Sequence, residues 1–440
     1  MKTTLRPRLF RIREIALIPL IISLLCFQLR AVDEVSGEVE AEAGPHPLLG
    51  GAERVLFLGD SITQNGRYIA YLHTALMLLE PEAVAGVEWL NLGLSSETAS
   101  GLSEDSHPFP RPHVLDRVDS VLEHFQPQIT FVCYGMNDAI YHPRDEERFE
   151  AYRSGIRQLV EKLNEAGSLV VLMTPPPFDA ASSPGDLQPA DAAEFGYQKP
   201  YRGYSEVLQE LGWWILSQHE GVFATVDLYE PLVRFIEIAR EDDADFKFGD
   251  GVHPGPDGHL VMALSILDAL DVPLPEMPAL AVPPAVDGRT MQLAFASSPR
   301  TLPPFHPWPT YWDLSPFSSG PELMLPEGLQ DLAAVTLTET REGQEPVSAT
   351  VPVVRQRAAL DLAPELPVNQ RRAAVFETLW QMHQALSPAA REAAGHTHVN
   401  KARDVPPIDE ARATAAEQRR QAATQAAPIP FNLVVTPAEP

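Results

Sequence analysis

The chain has 440 residues, too many for one ordinary core, and a prior of roughly 100–200 residues per domain divides it into two or three units. Its formal charge of −27, from 33 Lys and Arg against 60 Asp and Glu, would repel phosphate backbones. That excludes nucleic acid as an expected partner and disfavours anionic polymers and anionic membrane surfaces. Hydrophobic residues make up 45%, enough for a well-packed globule, and many of the 43 prolines fall after residue 270, so the main core belongs to the first two thirds.

A basic stretch from Met1 to Glu14 precedes an uncharged apolar run from Ile15 to Leu29, the order of a secretory signal. The run is shorter than the ~20 residues of a spanning helix, and Pro19 interrupts it. Residues 1–31 are therefore expected to be a signal peptide or an N-terminal anchor of an exported protein, with Leu29-Arg30-Ala31 the nearest cleavage triplet and 32–51 a linker. Any membrane contact is expected through that segment alone. The only cysteines are Cys26 and Cys133; once a signal is removed no internal disulfide remains, and Cys133, inside the strand-like ITFVCYG, reads as a buried inert thiol.

From residue 54, short β-branched runs alternate with longer amphipathic stretches, the pattern of a parallel α/β domain. RVLFLG, VEWLNLG, ITFVCYG, LVVLMT and VFATVDL predict five strands. RYIAYLHTALMLLE, HVLDRVDSVLEHF, ERFEAYRSGIRQLVEKLNEAG and YSEVLQELGWWILSQHE place apolar residues at helical spacing, and a last helix is expected from about Asp257 to Leu270. The Pro-, Gly- and Ser-rich segments 94–113 and 175–203 follow strand ends, where binding loops belong. Beyond 52–272, residues 273–325 read as a Pro-rich linker or strap. Residues 326–440 read as a small accessory region: strands in AAVTLTETREG and VSATVPVVRQRAAL, a helix in QRRAAVFETLWQMHQAL, an exposed helix in IDEARATAAEQRRQAATQ, and a poorly ordered tail to which NLVV could add a strand.

Four strand ends carry candidate chemistry. FLGDSIT presents Ser61 at the carboxyl edge of the sheet, where ligands bind in open α/β folds. Alone, Asp-Ser after a strand is a turn or helix cap. NLG offers Gly93, whose missing Cβ would let a substrate approach a backbone N–H, and YGMND offers the carboxamide of Asn137. With the Ser61 N–H these are three candidate donors for a tetrahedral oxyanion. FGDGVHPG supplies Asp250 and His253, three residues apart across a glycine turn: an imidazole base for a poorly nucleophilic serine and a carboxylate to orient it. Of 13 histidines, His259 is the main rival, but it falls in the following helix and reads as packing.

In this order and spacing, GDSIT, NLG, GMND and DGVHP resemble four of the conserved blocks of the SGNH/GDSL hydrolases, over about residues 52–272. The resemblance implies a three-layer, flavodoxin-like domain with a five-stranded parallel sheet of order 2-1-3-4-5 and no metal or other cofactor. It makes Ser61 the nucleophile and an oxyanion donor, Gly93 and Asn137 the other donors, His253 the base and Asp250 its orienting partner, in a serine esterase. The polar loop after Gly93 and the lack of a long apolar lid favour a carbohydrate O-acetylesterase acting on a small-molecule or polysaccharide ester, with Glu97, Arg111 and Tyr141 as candidate contacts to sugar hydroxyls. A lipid or aryl esterase is the alternative within the same chemistry, and a non-catalytic binding or scaffold module the alternative outside it. A phosphate loop is disfavoured, because FLGDSIT lacks the second glycine and the lysine.

Overall fold

The computed structural model describes residues 48, 50–272, 290–295, 322–325, 327–353, 357–360, 363–395, 405–427 and 429–438. The expected signal or anchor, and most of the expected strap, lie outside them. The β-branched runs form β1 (Arg54–Gly59), β2 (Glu88–Asn91), β3 (Ile129–Cys133), β4 (Leu169–Met173) and β5 (Ala224–Val226). They pair in parallel in the order β2-β1-β3-β4-β5, as expected. β1 and β3 are almost wholly buried, as strands covered on both faces must be. At their centre Phe57 stacks on its register partner Phe131, with ring centroids 4.7 Å apart, and on Trp89 of β2 at 5.7 Å. Such pairs add about 0.5–1.5 kcal/mol each beyond area burial.

The helices in chain order are α1 (Ser61–Asn65), α2 (Arg67–Leu79), α3 (Pro81–Val84), α4 (Val118–Phe125), α5 (Glu146–Glu165), α6 (Tyr204–Leu216), α7 (Tyr229–Asp242) and α8 (Pro256–Ala269). The longest shows why these segments are helical. In α5, Phe149, Tyr152, Ile156, Leu159 and Leu163 form one apolar stripe. Asp145 caps its start by accepting the Arg148 N–H at 3.0 Å, with Glu146 and Glu147 in the first turn and Lys162 in the last, matching the helix dipole. HVLDRVDSVLEHF divides into a single 3₁₀ turn, Val114–Asp116, and α4. The sequence reading missed α7.

The C-terminal region departs further from expectation. The segment read as a strap contains β6 (Met291–Phe295) and β7 (Glu322–Met324). A short α9 (Glu327–Gln330) follows, then β8 (Ala334–Thr340), β9 (Val347–Pro352), β10 (Arg357–Ala359), α10 (Pro367–Ala393), α11 (Ile408–Ala426) and β11 (Phe431–Pro437). In the segment expected as a tail, NLVV does add a strand, and an interior one: β11 lies between β6 and β8 in an antiparallel sheet of order β6-β11-β8-β9, burying Phe431, Leu433 and Val435. Nor is α11 simply exposed. Its buried stripe Ala411, Ala415, Ala422 and Ala426 lets it pack closely on α10.

Both helices share the apolar core of the hydrolase domain, whereas β6 to β11 enclose a second, smaller core. The reason lies in α2, where every residue from Tyr68 to Leu79 is buried. A helix apolar all round needs cover on both sides; the sheet covers one face of α2 and α10 the other. Phe376 of α10 stacks on Tyr71 at 4.8 Å, and His383 Nε2 lies 3.2 Å from His73 Nδ1. Burial holds both imidazoles well below the ordinary histidine pKa, His383 at about 3, so they pack as neutral rings. Arg412 of α11 adds a bidentate pair to Glu88 at 2.7 and 3.2 Å.

Candidate active site

Ser61 opens α1 immediately after β1, and the cap residue before it, Asp60, is buried and accepts the Ile62 N–H at 2.9 Å. Burial pushes the Asp60 carboxyl up to about 7, against the pull of that N–H and of His253. The Asp250–His253 turn approaches from the far side. Asp250 Oδ1 accepts the backbone N–H groups of Val252 at 3.0 Å and His253 at 2.7 Å, and Oδ2 lies 2.8 Å from His253 Nδ1. An ionised carboxylate only accepts, so Nδ1 carries the ring hydrogen and Nε2 is left with a free lone pair. Nε2 lies 2.7 Å from Ser61 Oγ. Burial alone would raise the Asp250 pKa, but the ring N–H and the two backbone N–H groups outweigh it and hold the carboxyl at about 2. The hydrogen bond to Asp250 raises His253 above 6.5, against the opposing effect of burial.

Two elements unmarked in the sequence hold this turn. Asp179, in the loop after β4, donates its N–H to Gly251 O at 2.8 Å. Its own carboxylate is fixed by Arg240 of α7 at 2.6 Å and by the Ser182 hydroxyl.

Asn137 follows β3, and its amide is oriented at both ends. Oδ1 accepts from the Tyr141 hydroxyl at 3.2 Å and Nδ2 donates to Glu97 O at 3.2 Å, leaving the second Nδ2 hydrogen for another acceptor. Ile140 and Tyr141 adopt φ of 46° and 60°, uncommon for such residues, and this turn brings the Tyr141 hydroxyl back to Asn137. The next residue, Asp138, is buried and accepts the N–H groups of Ala99 at 2.8 Å and Ser100 at 2.7 Å, tying the loop after β2 to the loop after β3.

Gly93 does not offer a free donor. Its N–H goes to Asn91 Oδ1 at 2.9 Å, and a Cβ at this position would overlap the backbone of Thr63 and Gln64. The glycine is needed for close passage of β2's exit past α1. Three residues on, Ser96 has φ of 65°, its hydroxyl meets His107 Nε2 at 3.2 Å and its carbonyl accepts from Arg111 at 3.3 Å. Among the described residues the Ser96 N–H has no acceptor, while its neighbour Ser95 donates to Gln64 Oε1 of α1 at 2.6 Å. No residue type at 96 signals this, because a left-handed backbone usually calls for glycine.

The expected sugar contacts are placed otherwise. Glu97 has no exposed surface: Arg117 grips it through two bonds of 2.5 Å, and Tyr134 donates to it at 2.6 Å. Arg111 is buried in a bidentate pair with Glu104, at 2.6 and 2.7 Å, and lies over the Tyr141 ring. Both hold the loop rather than face an open site, and Tyr141 acts through Asn137. His259 is buried in α8, parallel to Tyr68, with its pKa pushed down to about 3 by burial. Cys133 is a buried free thiol whose pKa burial raises.

Beside Ser61 a cavity of about 390 Å³ opens between α1 and α10. Gln64 and Asn65 line it from α1, and Trp380, Gln384 and Arg391 from α10. The sequence reading assigned α10 no part in a site.

The model of the GDSL-like lipase/acylhydrolase family matches residues 57–261. No curated protein matches the chain. Among solved structures, a gut microbial diltiazem-metabolizing enzyme, BT4096, is similar over 88% of this chain and 98% of its own, at 15% identity and a TM-score of 0.62. The shared fold therefore extends into the C-terminal region. Axe2, an acetylxylan esterase from Geobacillus stearothermophilus, is 20% identical over 51% of this chain and 97% of its own, with a TM-score of 0.37. The chain is an ester hydrolase, and its residues 57–261 belong to the GDSL-like lipase/acylhydrolase family.

Proposed function

We propose that the chain is a carbohydrate O-acetylesterase working through an acyl-enzyme on Ser61. The observation that carries the mechanism is the continuous line from Asp250 Oδ2 through the His253 ring to Ser61 Oγ, with steps of 2.8 and 2.7 Å. His253 Nε2 takes the hydroxyl proton as Ser61 Oγ adds to the acetyl carbonyl, and Asp250 stays ionised and stabilises the imidazolium. The oxyanion is met by the Ser61 N–H, the remaining Nδ2 hydrogen of Asn137 and the Ser96 N–H, which replaces Gly93 in the donor set. Imidazolium then protonates the leaving alcohol, and water repeats the sequence to release acetate.

The cavity supports a sugar on the leaving side. It combines an indole, Trp380, with the amides of Gln64, Asn65 and Gln384 and the hydroxyl of Ser387, the mixture of flat apolar face and hydrogen-bonding edge that a pyranose requires. Export, read from residues 1–31, belongs to the same proposal. The test is a screen of acetylated saccharides against 4-nitrophenyl esters of rising chain length, with Ser61→Ala as control. The expected result is acetate release from saccharides and a rate that falls beyond short acyl chains. Faster turnover of the octanoate than of the acetate would contradict it.

A further inference from the structure

Arg391 differs from four guanidinium groups of the same domain that carboxylates hold. Arg111 is matched by Glu104, Arg117 by Glu97, Arg240 by Asp179 and Arg412 by Glu88. Arg391 makes one long bond, 3.4 Å to Gly93 O, and has no carboxylate partner among the described residues. Its side chain is part-buried, next to a second cation, Arg117, and desolvation and that neighbouring charge lower its pKa to about 10. It remains protonated at neutral pH. A charge partly withdrawn from water without a counter-ion is costly and is ordinarily matched by a partner. In a chain of net charge −27, a carboxylate should have been easy to supply.

The position of Arg391 explains what the partner could be. The side chain lines the cavity that reaches Ser61, and no Asp or Glu shares that lining. A guanidinium has five N–H donors in a planar fork that fits a carboxylate through two parallel bonds. One bond to Gly93 O leaves most of that fork available. The ligand with matching charge and geometry is therefore an anion that arrives with the substrate.

We propose that Arg391 is a specificity residue that receives a carboxylate carried by the substrate, making an O-acetylated acidic saccharide, with a uronate beside the ester, the preferred substrate class. This rests on the reading of the site as a carbohydrate esterase and adds to it the charge of the sugar. The acetyl group sits at Ser61, the sugar ring lies along Trp380 and Gln384, and its carboxylate meets Arg391.

The experiment is competition against 4-nitrophenyl acetate hydrolysis by the full chain, with methyl glucuronoside and methyl glucoside as inhibitors of the parent, Arg391→Gln and Arg391→Lys. In the parent the glucuronoside should inhibit at a concentration about tenfold lower or more, the factor expected of one charge-assisted hydrogen-bonded pair. The ratio of the two inhibition constants should collapse to near one in Arg391→Gln and be partly kept in Arg391→Lys. Because that ratio is internal to each variant, a change in overall activity does not enter it. Equal inhibition by the two sugars in the parent, no inhibition by either, or a ratio unmoved by Arg391→Gln would overturn the proposal. Acetate release from acetylated methyl glucoside reports the carbohydrate reading separately, so that reading can stand when this one falls. Should the parent fail to turn over 4-nitrophenyl acetate, calorimetric titration of the two sugars into the same three proteins decides the matter by the same ratio.

Discussion

At Asp250 and His253 opposing effects meet, and their balance sets a pH dependence. Hydrogen bonds hold Asp250 ionised at about 2, and the ionised Asp250 holds His253 above 6.5. Only neutral His253 can take the Ser61 proton, so kcat/KM should rise with pH through the raised histidine pKa. Asp250→Asn removes the charge that raises it: the acid limb should move to lower pH while kcat falls by about 10⁴, the size of effect seen when a triad carboxylate is replaced by its amide. An unmoved limb in a pH–rate profile would show that Asp250 does not set the base. For Asn137→Ala, loss of one oxyanion donor should lower kcat by about 10²–10³ with KM little changed, which steady-state kinetics with 4-nitrophenyl acetate can read.

At this scale the side chains with chemistry of their own were legible: Ser61, Asn137, Asp250 and His253 sit at strand ends, and their types suit the reaction. What was not legible depends on backbone conformation or on distant partners. Nothing in the letters NLGLSS shows that the Gly93 N–H turns to Asn91 while Ser96 adopts a positive φ. Glu97 and Arg111 looked like polar loop residues because Arg117 and Glu104, which neutralise them, lie 20 and 7 positions away.

Among the elements, the loop after β2 is held by a close approach that a single methyl group would block. Gly155 of α5 lies against the Ala99 carbonyl, and a Cβ there would overlap it. Ala99 and Ser100 are also the groups that Asp138 holds beside Asn137. Gly155→Ala should therefore act on both stability and rate. Overpacking of this kind costs about 1–3 kcal/mol, or several °C in a thermal melt, and kcat should fall with it as Asn137 shifts. A melt and a rate equal to those of the parent would place the loop elsewhere.

The five strands and the helices with a clear apolar stripe were readable from period alone. α7 was missed: YEPLVRFIEIARED lies between the fifth strand and FGDGVHPG, and Leu232, Phe235, Ile236 and Ala239 are buried at helical spacing. At β11 the sequence offers both a frayed tail, because of its place near the end of the chain, and a strand in NLVV; its pairing partners β6 and β8 lie about 140 and 95 residues earlier. Pairing at such separations leaves no local mark.

For the molecule as a whole, the informative segment is α2. RYIAYLHTALMLL has helical spacing, yet every residue from Tyr68 to Leu79 is buried and no face is left for water. That pattern already required a second cover, which α10 and α11 provide by crossing back from the end of the chain. The cover also reaches the candidate site, because it brings Trp380, Gln384 and Arg391 into one cavity with Ser61. Six of the nine residues that line the pocket lie beyond residue 272, where the expected hydrolase domain ends. The unit that hydrolyses the ester is therefore built from both ends of the described chain.

All of this depends on Ser61 being a nucleophile activated by His253. The direct measurement is intact-mass analysis after treatment with a fluorophosphonate, followed by peptide mapping. One adduct per chain is expected, located on Ser61, absent in Ser61→Ala and formed far more slowly in His253→Ala. No adduct on the folded parent, or an adduct that persists in Ser61→Ala, would contradict it.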